Sequence, residues 1–138
     1  VAHVPGPYVL AGHSNGGLFT LLYASTYPRQ VAGLVLIDAV HIWTSERQTR
    51  MALRRSAVRP MPLVVIARGH PDPDTPYVEF EEPFWRQLQR EPARLVPGGR
   101  LVVATESGHD IQHEQPELVL DALRDVVLAV RAGDLVPH

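Results

Sequence analysis

The six residues Gly12-His13-Ser14-Asn15-Gly16-Gly17 constrain this chain more than any others. Ahead of them, Tyr8 to Ala11 is a short apolar run behind the turn residues Val4-Pro5-Gly6-Pro7, the pattern of a buried strand. After them, Leu18, Leu21, Leu22 and Tyr23 recur at helical spacing, and Pro28 closes the helix. A glycine-rich junction between strand and helix is a sharp turn, and the spacing Gly-X-Ser-X-Gly puts a serine at its apex. Glycines two residues away on each side let strand and helix approach without side-chain clash, holding the hydroxyl above the end of the sheet. Ser14 also lies at a helix N-terminus, where the dipole favours developing negative charge.

The rest of the chain repeats the alternation. Val31 to Ile37 is rich in Val, Leu and Ile and ends at Asp38, which reads as a strand buried on both faces. Thr44 to Arg59 is a polar, Arg-rich helix capped by Thr44 or Ser45. Pro62 to Ala67 is a third strand, and Gly69 to Tyr77 a loop. Glu82 to Leu95 is a helix, Pro97-Gly98-Gly99 a turn, Leu101 to Ala104 a fourth strand and Glu106 to Gln115 a polar loop. Pro116 to Ala132 is the last helix. Pro116 suits its first turn, Val119, Leu123, Val126, Val127 and Val130 form its apolar stripe, and Gly133 is its C-cap. Strand alternating with helix implies an α/β fold, a parallel sheet of about four strands with crossover helices.

Composition narrows the partners. A chain of 138 residues that is 45% hydrophobic is expected to form a single domain with a buried core. A net charge of −2 without a basic or acidic block gives no footprint for nucleic acid or a charged membrane surface. No apolar run is long enough to span a membrane. Without cysteine there is no disulfide, thiolate nucleophile or sulfur-ligated zinc. The chain begins at Val1 and shows no signal-peptide pattern. The expectation is that the true N-terminus is missing, so localisation stays open with the cytoplasm favoured.

A serine nucleophile needs a base. His109 is the leading candidate, because Ser107-Gly108-His109 follows the fourth strand directly and opens on the same sheet edge as Ser14. His113 lies four residues on, but no third ligand follows at useful spacing, so neither a metal nor a cofactor is expected. His13, His41 and His70 also stand at strand ends; His13 and His41 are assigned to the substrate pocket. Asp38 and Asp72 are alternatives for the acid that orients His109, with Asp74 and Asp110 behind them.

These residues resemble the α/β-hydrolase superfamily. Gly-His-Ser-Asn-Gly-Gly at 12–17, Leu-Val-Leu-Ile-Asp at 34–38, Pro-Leu-Val-Val-Ile at 62–66 and Ser-Gly-His at 107–109 carry the resemblance, with Gln115-Pro116-Glu117 leading into the final helix. It implies that Ser14 is the nucleophile of a nucleophile elbow, His109 the base and the Asn15 N–H an oxyanion donor. Asp38-Ala39-Val40-His41 resembles a subgroup that carries its acid here, which favours Asp38; the commoner arrangement favours Asp72. The implied activity is hydrolysis of a small ester, lactone or amide through an acyl-enzyme. The alternatives are a non-catalytic binding module on the same fold and a truncated product without a function of its own.

The family's sheet has eight strands, with the elbow after the fifth. Residues 1–138 are therefore expected to be one partial domain, the C-terminal half, lacking strands one to four and the second oxyanion donor. Losing such a donor costs about 10²–10³ in rate. A half-sheet also leaves an apolar edge. The isolated chain is expected to self-associate through it and to turn over esters poorly.

Overall fold

In the computed structural model, residues 4–39, 58–71 and 78–133 are described. Strand β1, Tyr8–His13, runs straight into helix α1, Asn15–Thr26. Strand β2 is Val31–Ile37 and β3 is Leu63–Arg68. Helix α2, Val78–Ala93, leads to β4, Arg100–Ala104. A single turn, α3 at Ile111–Glu114, precedes the long helix α4, Pro116–Ala132.

The strands form one sheet in the order β1-β2-β3-β4, and every neighbouring pair is parallel. This is the parallel α/β architecture expected from the alternation of strand and helix patterns. Parallel neighbours require a crossover between them, and the helices supply layers on both faces. Leu34, Leu36, Leu63 and Val65 meet Leu21 and Ala24 of α1 and Ala93 of α2 on one face. Val35, Ile37, Val64 and Ile66 meet Val119, Ala122, Val126 and Ala129 of α4 on the other. Each Leu or Ile so buried contributes about 1.5–3 kcal/mol.

That arrangement explains why β2 and β3 read as unbroken apolar runs. Every residue of β3 is buried, and so is every residue of β2 except Ala32. The strands at the two ends of the sheet are only partly covered. Ala11 of β1 and Val103 of β4 are exposed.

Several boundaries differ from the sequence expectation. Helix α2 begins at Val78 rather than Glu82 and contains Pro83 within it. Pro83, the sixth residue of the helix, has no N–H to give to Glu79 O, so one backbone bond is missing there. The polar loop of 106–115 contains the turn α3, closed by bonds from His113 and Glu114 N to Asp110 O. Of the helix expected over 44–59, only 58–59 are described, and these are coil. Helix α4 matches its expected limits, and Gly133 ends it at φ 74 with its N–H on Ala129 and Val130 oxygens.

Candidate active site

Each of the four strands delivers one polar residue at or just beyond its carboxyl end. Ser14 follows β1, Asp38 follows β2, Arg68 closes β3, and His109 lies in the loop after β4. Because the strands are parallel, all four open on one edge of the sheet.

Ser14 occupies the turn between β1 and α1 at φ 54 and ψ −128. A non-glycine residue there is strained by roughly 1–3 kcal/mol, a cost borne by the surrounding packing. The Ser14 N–H bonds Ile37 O at 2.9 Å, tying the turn to the end of β2, and its carbonyl accepts from Gly17 N at 3.0 Å. Its hydroxyl makes no capping bond to the helix. Asn15 opens α1, so its N–H has no acceptor within the helix.

The glycines work differently from the symmetric pattern in the sequence. A Cβ on Gly12 would come within 2.5 Å of Gly16 O, and one on Gly17 would collide with the Cβ of Ala39. A Cβ on Gly16 would meet nothing within 4 Å. Close approach therefore depends on Gly12 and Gly17, not on Gly16. Gly17 seats the start of α1 against the residue that follows Asp38.

Asp38 is fully buried and has φ 41, a region that aspartate tolerates better than most residues. Its N–H bonds Ile66 O at 2.7 Å. Its Oδ2 lies 2.5 Å from His109 Nδ1, across 71 residues of chain. An ionised carboxylate only accepts, so Nδ1 carries a proton and Nε2 is the basic nitrogen. The hydrogen bond to Asp38 raises the pKa of His109 above 6.5; burial opposes this, the charge of Asp38 adds to it, Arg68 lowers it and Asp110 raises it.

The His109 loop has its own scaffold. Ser107 O accepts from Gly69 N at 3.0 Å and His70 N at 3.1 Å, joining the ends of β3 and β4. Glu114 Oε2 accepts from the Ser107 hydroxyl at 2.8 Å and Gly108 N at 2.6 Å. Gln115 Oε1 accepts from Glu106 N at 3.0 Å. Half-buried His13 has its Nε2 2.9 Å from His109 O, and the two rings lie 4.5 Å apart.

Of the residues singled out in the sequence, Ser14, Asn15, His13, Asp38 and His109 thus gather on one edge. Asp72, the alternative acid, and His41, assigned to the pocket, lie outside the described residues. His113 falls in α3, and no group of three potential metal ligands occurs among the described residues. No helix among them is long and apolar enough to cross a membrane.

Sequence reasoning missed Arg68 and Glu114. Arg68 is only 4% exposed, its guanidinium 3.3 Å from Asp38 Oδ2 and 4.0 Å from the centre of the Trp85 ring. A charged residue ending the apolar run 62–67 was the available signal. Glu114 lay in what read as a polar loop.

Solved structures share this fold. The chain superposes with a TM-score of 0.61 on a protein from Pseudomonas aeruginosa described as a probable hydrolytic enzyme, at 20% identity. It superposes with a TM-score of 0.59 on one from Thermoplasma acidophilum described as a predicted CIB-like hydrolase, at 16% identity. The fold is that of the α/β-hydrolases. The matches take in 89% and 92% of this chain but only 64% and 52% of those proteins, so the chain spans about half to two thirds of an α/β-hydrolase of their size. No family model matches the sequence, and no curated protein matches it.

Proposed function

We propose that this chain carries the catalytic edge of a serine hydrolase that cleaves small esters, lactones or amides. The single observation that carries the reading is the Asp38–His109 pair at the strand edge where strained Ser14 sits. The hydrolytic descriptions of the two structural neighbours favour the same class.

In this reading, Ser14 Oγ attacks the substrate carbonyl carbon while its proton passes to His109 Nε2. Asp38 holds the imidazole by Nδ1 and stabilises the imidazolium that forms. The oxyanion is received by the Asn15 N–H. Collapse of the tetrahedral intermediate breaks the bond to the leaving group, which departs with the proton from Nε2. Water then adds to the acyl-Ser14 ester, giving its proton to His109, and the acid is released as the proton returns to Ser14. A hydroxyl at a helix N-terminus suits the first step, since charge develops on the carbonyl oxygen beside it.

The test is labelling by a fluorophosphonate probe in the full-length protein. Labelling that is lost in Ser14→Ala and sharply slowed in His109→Ala is the expected result. A folded protein whose Ser14 never labels would instead be a binding module on this fold.

A further inference from the structure

Arg68 has no part in the steps above, yet it is buried against the acid. Its guanidinium and the His109 imidazole converge on one atom, Asp38 Oδ2, at 3.3 and 2.5 Å. Its backbone nitrogen lies 3.5 Å from Oδ1, and Trp85, itself buried, stacks on the guanidinium. Every nitrogen of Arg68 that approaches Asp38 is a donor, as is His109 Nδ1. The carboxylate is therefore shared between a permanent cation and an imidazole.

The chemistry gives this sharing a consequence. A general base works best with a pKa near the operating pH. A buried carboxylate devoted to one imidazole makes that imidazole more basic, so less of it is neutral and able to take a proton from a hydroxyl at a given pH. A cation on the same oxygen draws off part of that charge. We propose that Arg68 is a positioning residue: it holds the Asp38 carboxylate from the side of β3 and limits the basicity that Asp38 confers on His109. The inference rests on the Ser14, His109 and Asp38 reading.

Among the described residues, the groups facing His109 are Asp38 after β2, Arg68 on β3, His13 on β1 and Asp110 in its own loop. Asp38 and Asp110 raise its proton affinity, and Arg68 lowers it. A role confined to neutralising Asp38 for folding would affect stability and leave the titration of His109 where it was.

The experiment is an NMR titration of the His109 ring in the full-length protein, for wild type, Arg68→Met and Arg68→Lys. Arg68→Met should move the midpoint upward by about one unit, and Arg68→Lys, which keeps the charge, should stay near wild type. In wild type, the Arg68 guanidinium signals should shift at the His109 midpoint, a reading that needs no variant to fold. Guanidinium signals blind to that midpoint, or a folded Arg68→Met with an unmoved midpoint, would overturn the proposal. Neither reading requires turnover. An inactive protein with the expected shifts would defeat the hydrolase reading alone, whereas an active one whose acid limb ignores Arg68→Met would defeat this inference alone.

Discussion

His13 Nε2 lies 2.9 Å from the backbone oxygen of His109, so the residue before Ser14 grips the loop that carries the candidate base. A carbonyl only accepts, which requires the Nε2–H tautomer of His13. The bond couples the end of β1 to the loop after β4, two strands at opposite ends of the sheet order. His13→Phe keeps a ring against His109 and removes the donor. A bond of this kind contributes about 0.5–1.5 kcal/mol, so turnover should fall roughly threefold to tenfold with labelling of Ser14 retained. Unchanged kcat in His13→Phe would mean that the contact does not position His109.

The pH dependence follows from the Asp38 hydrogen bond, which raises the His109 pKa above 6.5. Turnover needs the neutral imidazole, so the acid limb of kcat/KM should lie above 6.5 rather than at it. Stability runs the other way. A raised folded pKa contributes stability that is fully present below the unfolded value and is lost as pH rises through the folded value. Denaturant melts across that window should show the His109 contribution decline with rising pH, and Asp38→Asn should flatten the decline.

Asp38 and Asp72 are separable by substitution in the active full-length protein. Asp38→Asn should abolish most turnover, and Asp72→Asn should leave it within a fewfold of wild type. Loss confined to Asp72→Asn would remove Asp38 from the mechanism. Asp38→Ala should in addition destabilise the fold, since it removes the buried carboxylate that Arg68 and His109 both contact. Thermal melts of both Asp38 variants provide the comparison.

The glycines give a contrast within one turn. Gly12→Ala forces a Cβ against Gly16 O and Gly17→Ala forces one into Ala39, so each should cost about 1–3 kcal/mol and misplace Ser14. Gly16→Ala meets open space and should be nearly neutral or mildly stabilising. Chemical denaturation of the three variants would reveal whether that order holds.

Among the described residues, strand β1 has β2 on one side and ends the sheet order on the other. Phe19 and Leu22 of α1 are 69% and 61% exposed, and Phe19 lines an open groove with Tyr8, Leu10, Thr20 and Tyr23. An uncovered strand edge beside apolar surface favours association. The 138-residue chain alone should sediment as more than a monomer, and Phe19→Glu with Leu22→Glu should reduce that. A monomer at every concentration would count against it.

Among the described residues, the sequence by itself determined the order of the four strands and of α1, α2 and α4, and the position of the turn at Ser14. Those signals are local: apolar runs for β2 and β3, helical spacing for α1 and α4, Pro116 and Gly133 at the ends of α4. The boundary of α2 was less legible because Pro83 suggests a helix start, whereas the helix runs through it with one backbone bond missing. Only the tertiary structure decided what surrounds His109. Asp38 and His109 are 71 residues apart, and nothing in either neighbourhood specifies their contact; the parallel order of strands places both on one edge. Arg68 looked like the polar end of a strand, and its burial between Asp38 and Trp85 arises only when α2 packs on β3. Glu114 likewise acquires its bonds to Ser107 and Gly108 only once α3 turns the chain back. Periodicity reports which face of a segment is buried, and carries no record of which distant residue that face will meet.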